Sequence, residues 1–542
     1  MSGFFTIPEV KNEQVLTYAP GTPERANLRT AIREAKSKEI DIPMIIDGKK
    51  IFTQNKVTIH PPHEINHTLG YRNMGDASHV QLAIEAALKA KHAWENMSWQ
   101  DRASIFLKAA DLLSGPYRQK MNAATMLGQS KNVYQSETDA VCELVDFWRF
   151  NVKYMTQIYE IQPSSSNGIW NKLDYRPLEG FIVAITPFNF TAIGGNLPTA
   201  PAMLGNVVIW KPAETQVYSA AIIMEVLEAA GLPHGVINMI TVDGATLGQI
   251  AFTHHDFAGL HFTGSTLVFQ MLWKTIGDNL GMYTSYPKIV GETGGKDFVL
   301  AHPSADAKAV SVALLRGAFE FQGQKCSAAS RAYMPASLWP EIEQNLLHDL
   351  ATITMGSTED FSNFINAVID ERAFTKIAGY IDFAAGSPDA KIIAGGKYDK
   401  SIGYFIEPTI IVTTRYDFKT MVEEIFGPVL TVLVYDDQDF DSIVDTVDQT
   451  SPYALTGSIF CQDKNIMEQT SLRLRHAAGN LYKNDKPTGA VVDQQPFGGA
   501  RASGTNDKAG SVFNLVRWLS PRTIKENFNP PHDYRYPFLA KD

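Results

Sequence analysis

Phe181-Ile182-Val183-Ala184-Ile185, Val207-Val208-Ile209-Trp210 and Val236-Ile237-Asn238-Met239-Ile240 are short runs rich in β-branched and aromatic residues. A helical period runs from Val217 to Ala230 between the last two and is closed by Gly231. Strands alternating with helices predict a parallel α/β sheet. Upstream, the apolar positions Val80, Ala83, Ile84, Ala87 and Leu88 recur at helical spacing within Ala77 to Met97. Similar periods cover Asp101 to Leu113 and Ser136 to Tyr159, so the opening third reads as largely helical, up to the turn-rich Pro163 to Gly168. Downstream, Phe298 to Ala301, Val310 to Phe319, Arg331 to Met334 and Ile342 to Ile353 restart the alternation after Gly294-Gly295. That pair is read as the passage between two α/β lobes. The last stretch, Phe528 to Asp542, is rich in Pro, Tyr and Phe without a helical period, and is expected to lie on another surface such as an oligomer contact.

A chain of 542 residues exceeds what one hydrophobic core usually fills, so two or more lobes with a cleft between them are expected. The formal charge of −10, from 48 Lys plus Arg against 58 Asp plus Glu, repels phosphate backbones and anionic lipid, and excludes nucleic acid as a partner. The three cysteines, Cys142, Cys326 and Cys461, are too sparse for a disulfide framework or a zinc site, which implies a reducing compartment and no metal. Met1 to Lys11 carries Glu9 in a short apolar stretch and has neither a secretory nor an Arg-rich transit pattern, and no apolar run approaches the ~20 residues needed to cross a bilayer. The sequence reads as cytoplasmic.

Six segments carry candidate chemistry. Cys326, in Gly323-Gln324-Lys325-Cys326-Ser327, reads either as a buried apolar thiol or as a nucleophile, and its polar, cationic neighbours favour a thiolate. Glu292, after Ile289-Val290-Gly291 and before Thr293-Gly294-Gly295, reads as a salt-bridge partner or as a general base at a strand end. Asn189 in Thr186-Pro187-Phe188-Asn189-Phe190 is a turn former or an oxyanion donor, at the strand edge where α/β proteins place ligands. Phe262-Thr263-Gly264-Ser265 is a strand-to-helix turn or a pyrophosphate cradle at a helix N-terminus. Trp210-Lys211-Pro212-Ala213-Glu214 places a cation and a carboxylate where ribose hydroxyls bind, or simply two surface charges. Glu423-Glu424-Ile425-Phe426-Gly427-Pro428-Val429 adds a carboxylate and an aromatic at a proline-limited turn.

In this order the six segments resemble the aldehyde dehydrogenase superfamily, from roughly Asp76 to Trp518. The resemblance implies a Rossmann-like cofactor lobe, a catalytic lobe and a small oligomerisation element. It places the first lobe within 1–295 with part of 485–510 returning to it, the catalytic lobe at 296–484, and the oligomerisation element at about 160–176 and 511–542. It makes Cys326 the nucleophile, Glu292 the general base and Asn189 the oxyanion donor, partnered by the Cys326 main-chain NH. Thr186, Lys211, Glu214, Gly264, Ser265, Glu424 and Phe426 become the cofactor contacts. A carboxylate at Glu214 repels a 2′-phosphate, so NAD is expected over NADP. Phe269 stands where the superfamily commonly has glycine.

Within the superfamily, Phe188 to Asn196, Phe319 to Ser327 and Gln494 to Arg501 resemble the pyrroline-5-carboxylate dehydrogenase branch. That likeness implies oxidation of glutamate 5-semialdehyde to glutamate, the second step of proline breakdown, through a Cys326 thiohemiacetal and thioester. It assigns Ser327, with the main-chain NH groups of Gly489 and Ala490, to the α-carboxylate. Phe190 and Phe497 would flank the aliphatic chain, and Glu143 would pair with Lys325 near the ammonium. The length leaves no room for a fused proline-oxidising barrel, so a separate proline dehydrogenase would supply the imine, with transient contact between the two left open. The branch forms dimers and higher homo-oligomers. The competing readings are a dehydrogenase for another short acidic semialdehyde and a non-catalytic scaffold with the same fold.

Overall fold

The computed structural model describes residues 3 and 5–541, so Met1, Ser2 and Phe4 of the opening stretch and Asp542 of the closing run lie outside the described residues. Two seven-stranded sheets organise the molecule. The first has the order Lys288–Glu292, Phe257–Thr263, Phe181–Ile185, Val207–Lys211, Ile237–Met239, Met44–Ile46 and Lys49–Ile51. Its first five strands are parallel, and the last two join antiparallel. Phe181–Ile185, Val207–Lys211 and Phe257–Thr263 are buried along nearly their whole length, which is why they read as continuous apolar runs rather than as alternating ones.

Chain order spreads in both directions from Phe181–Ile185, with Val207–Lys211 on one side and Phe257–Thr263 on the other. The connections after these two neighbours therefore leave to opposite sides, and a crevice opens at the carboxyl ends of the strands. The loops carrying Thr186 and Asn189, and Gly264 and Ser265, both begin at that edge. Helix Val217–Ala230 stops as expected, with Gly231 in a left-handed conformation at φ 99°.

The second sheet runs Ala390–Ala394, Thr409–Thr413, Val429–Tyr435, Ala329–Pro335, Asp297–Ala301, Thr456–Phe460 and Asn480–Lys483, parallel except for the first strand. Residues Thr293 to Lys296 carry the chain directly from the edge strand Lys288–Glu292 of one sheet to Asp297–Ala301 of the other. A separate two-stranded antiparallel ribbon pairs Ile169–Pro177 with Leu519–Asn527 over nine residues each. Among the described residues no helix is long and apolar enough to cross a membrane.

The structure departs from the sequence reading at Ser136 to Tyr159. In place of one continuous helix, a π-helical turn, Glu137–Cys142, separates Val133–Ser136 from Glu143–Tyr159. An inserted π turn rotates the following residues about the helix axis and is frequent beside functional sites. Here it brings Thr138, Asp139, Cys142, Glu143 and Asp146 onto one cavity.

Candidate active site

The loop carrying Cys326 precedes strand Ala329–Pro335 and is held against its own conformational preference. Phe321 and Gln322 are fully buried with left-handed φ of 52° and 55°, which costs of order 1 kcal/mol each unless the surroundings impose it. The surroundings do impose it. Gln322 donates to Ala367 O at 2.8 Å and accepts from Asn366 N at 3.0 Å, and Gln324 accepts from Ile369 N at 2.9 Å. At Gly323, φ 63°, a Cβ would stand 2.2 Å from Gly427 O, so no side chain fits. Asn189, buried beyond strand Phe181–Ile185, donates its amide to Gln324 O at 3.1 Å. The expected oxyanion donor is thus tied to the loop that carries Cys326.

Cys326 and Glu292 line one cavity of about 400 Å³. Both are deep in the protein yet keep some accessible surface, because they face that cavity. Glu292 ends strand Lys288–Glu292, and its main chain is fixed from both sides: its carbonyl accepts from Gly264 N at 3.1 Å and its backbone bridges Gly504. No hydrogen bond to its carboxylate is formed among the described residues. Burial pushes that carboxyl up to about 8, with Lys508 opposing and Asp507 adding to the shift. Burial also pushes the Cys326 thiol well above its usual range, reinforced by Glu292, Asp297 and Glu424. Both groups favour their protonated forms, so the thiol must lose its proton before it can attack, and Glu292 must lose its own before it can serve as a base.

Elsewhere the cavity wall carries polar and charged side chains. Ser327 and Thr488 share a hydrogen bond of 2.8 Å between their hydroxyls. Gly489, at φ 94°, and Ala490 follow, and Phe190 and Phe497 also line the space. Glu143 does not pair with Lys325. Lys325 lies 3.2 Å from Glu320, which also takes Arg316 at 3.0 Å. Glu143 faces the cavity, and burial, helped by the nearby Asp139 carboxylate, holds it well above the usual carboxylate range. Sequence reasoning paired two residues that both reach the cavity, but Glu320, five positions before Lys325 along the same loop, wins the contact.

Three further features escaped the sequence. Lys486 lines the cavity and donates to Thr488 O at 3.0 Å, and only its place beside the Gly489 turn could have signalled it. Asn12, Glu13 and Val15 form part of the cavity wall, where Asn12 donates to Asp146 at 2.8 Å and Glu13 meets Arg118 and Arg149 at 2.8 and 2.7 Å. Nothing local in that arm announces the contact. Lys131 is fully buried, 2.6 Å from Asp139, with its ammonium 4.3 Å from the Phe190 ring centre and 4.1 Å from that of Phe321.

The other expected contacts line the crevice edge. Thr186 accepts from the Trp210 indole at 3.0 Å. Ser265 caps helix Thr266–Asp278 but makes no side-chain capping bond, which leaves its hydroxyl and the first helical NH groups available to an anion. Phe269, where a glycine was looked for, packs its ring into the space above Gly291, at which a Cβ would stand 2.1 Å from the ring. The phenylalanine is exchanged for bulk at a neighbouring strand, and Gly264 and Ser265 remain at the crevice. Glu424 accepts from Gly295 N at 3.0 Å, and Phe426, at φ 61°, sets its ring edge-on to Phe188 with centres 5.8 Å apart. Lys211 ends its strand beside Glu214, which is bound by Arg72.

Residues 52–524 match the aldehyde dehydrogenase family. A mitochondrial delta-1-pyrroline-5-carboxylate dehydrogenase of Dictyostelium discoideum is 52% identical over 98% of this chain and 96% of its own. The crystal structure of the delta-pyrroline-5-carboxylate dehydrogenase from Mycobacterium tuberculosis bound with NAD superposes with a TM-score of 0.97 at 50% identity, covering 100% of both chains. Proline utilization A from Bdellovibrio bacteriovorus superposes with a TM-score of 0.91 at 28% identity, covering 97% of this chain and 54% of that one. A match over most of the length makes this chain a member of the aldehyde dehydrogenase family.

Proposed function

We propose that the protein oxidises L-glutamate 5-semialdehyde, the open form of 1-pyrroline-5-carboxylate, to L-glutamate with NAD, the second step of proline degradation. The carrying observation is a single cavity lined by Cys326 and Glu292 together with Ser327, Thr488, Lys325, Lys486 and Glu143. A short chain ending in an α-carboxylate and an α-ammonium suits such a lining, whereas an apolar aldehyde leaves its charges unmatched.

The crevice fits NAD: Ser265 and the NH groups it leaves free suit the pyrophosphate, Lys211 and Glu214 the adenosine ribose, and Glu424 the second ribose, with Thr186 and Phe426 beside the nicotinamide. When bound there, NAD supplies the two-electron acceptor. The chain's own residues do the rest. The Cys326 thiol gives its proton to solvent, and the thiolate adds to the aldehyde carbon. The oxyanion is held by the Asn189 amide and the Cys326 main-chain NH, donors already placed by the loop. Oxidation of the thiohemiacetal leaves a thioester, and Glu292 draws a proton from the water that hydrolyses it. Ser327 with the Gly489 and Ala490 main chain holds the α-carboxylate, Phe190 and Phe497 flank the methylenes, and Glu143 and Lys325 stand at the ammonium end.

A homo-oligomer is supported by exposed apolar side chains on helix Thr266–Asp278, notably Leu267 and Met271, and by Trp170 and Phe528 at the ribbon. Three free cysteines suit a reducing compartment such as the cytoplasm. The likeness to one part of a proline utilization A protein supports transient contact with a proline dehydrogenase. The test is NADH formation from pyrroline-5-carboxylate by the intact protein and by Cys326→Ala. Turnover lost in the variant supports the assignment, and an inert intact protein that still binds NAD removes the substrate from it.

A further inference from the structure

Glu214 is not a solitary carboxylate at the crevice edge. Arg72, from strand Gly70–Asn73 of a small separate sheet, reaches across to it. One guanidinium nitrogen donates to Glu214 O at 2.8 Å, and the other binds the Glu214 carboxylate. The Arg72 side chain is only 12% exposed against 50% for Glu214, so the cation is the fixed member and the carboxylate the adaptable one. The third guanidinium donor, Nε, is buried without any hydrogen-bond partner. Burial most of all weakens the protonated form of Lys211, while Glu214 opposes that and Arg72 adds to it. One carboxylate therefore stands among two cations, with a buried donor still unused.

A guanidinium fork matches phosphate geometry, and arginines beside the ribose carboxylate position commonly accept a 2′-phosphate in nucleotide folds. We propose that Arg72 is the residue that decides between the two nicotinamide dinucleotides here, by way of Glu214. While the carboxylate engages the guanidinium, the fork is satisfied and the carboxylate is aimed so that its remaining oxygen accepts a ribose hydroxyl. A 2′-phosphate meets that negative charge. With the carboxylate neutralised, the same guanidinium and Lys211 form a ready phosphate site. Arg72 is thus a positioning residue for one cofactor and a latent ligand for the other.

This inference rests on the placement of the adenosine ribose at Lys211 and Glu214, and the test separates the two ideas. Binding of NAD and of NADP is titrated by calorimetry to the full chain and to E214Q, R72M, R72K and the double variants E214Q/R72M and E214Q/R72K. E214Q is expected to gain ~10-fold in NADP affinity, the scale of a charge-assisted hydrogen bond recovered, while NAD weakens. E214Q/R72M is expected to lose that gain. R72M alone is expected to weaken NAD several-fold without helping NADP. Should R72M fail to fold, E214Q/R72K keeps the question open to measurement: lysine retains charge but not the fork, so the gain must shrink. An undiminished NADP gain in both double variants overturns the role of Arg72 while leaving the ribose site intact. NAD affinity indifferent to every one of these substitutions overturns the ribose placement itself.

Discussion

Within the cavity, the residues proposed for the reaction, the reacting end, and those proposed for recognition, the recognition end, are held differently. At the reacting end, the loop of Cys326 is immobilised by Gln322, which donates to Ala367 O and accepts from Asn366 N, by Gln324, which accepts from Ile369 N, and by Asn189, which donates to Gln324 O. At the recognition end, the polar groups are side chains bonded to one another or left facing the cavity: Ser327 to Thr488, Lys325 to Glu320, and Glu143 without Lys325. Chemistry demands donors fixed before charge develops, and main-chain anchoring supplies that. Recognition needs only complementary charge, and leaves room for side chains to change partners when the substrate arrives.

That contrast can be broken from the reacting end first. Asn189→Ala removes a donor whose place is fixed, and kcat is expected to fall ~10²–10³-fold with KM little changed. Steady-state NADH kinetics decide it, and a change confined to KM would put Asn189 with recognition instead. Glu292→Gln is expected to release NADH once per site and then stall at the thioester, which rapid mixing detects as a burst. In the intact protein, turnover is expected to rise as pH climbs through about 8, where Glu292 loses its proton. The same group affects stability with a definite sign. The folded chain keeps the Glu292 proton up to about 8, while the unfolded chain releases it near 4.5, so Glu292 costs stability increasingly across that window. E292Q is therefore expected to melt higher than the parent at pH 8 and level with it near pH 4.

Gln322→Ala sharpens the comparison by loosening the loop without touching substrate. Buried Asn366 N loses its acceptor, and a loss of about 1–3 kcal/mol in denaturant titration is expected, together with reduced kcat. At the recognition end, Lys486→Met is expected to raise KM ~10-fold at nearly constant kcat, the loss of one charge-assisted contact. If kcat collapses instead, the two ends are not separable.

The α/β architecture was legible because its parallel strands are buried on both faces and so appear as unbroken apolar runs. Phe181–Ile185 and Val217–Ala230 have the bounds read from sequence, the latter because Gly231 ends it. The reacting end was legible through its glycines: Gly323, Gly294 and Gly295 are forced by close approach, and such positions leave a local trace. What stayed hidden was set by distant parts of the chain. The π turn Glu137–Cys142 changes the face of a helix without altering its apolar spacing enough to show. The partner of Lys325 is chosen by the fold of its loop, and the arm at Asn12 and Glu13 reaches the cavity through Asp146, Arg118 and Arg149, far away in sequence. Short strands such as Met44–Ile46 and Gly70–Asn73, the latter delivering Arg72, are too brief to rise above turn-rich surroundings.

The ribbon of Ile169–Pro177 and Leu519–Asn527 joins segments so distant that Lys172 meets Glu526 across 354 positions. During synthesis the earlier strand leaves the ribosome long before its mate exists. For that interval it is an open edge with Ile169 and Trp170 on it, and an unpaired edge is a template for any passing strand. The newborn chain is thus most prone to aggregate while both α/β lobes are being finished, and closing the ribbon is the step that ends the risk. A nascent chain halted before residue 519 should accordingly call on chaperones more than the completed one.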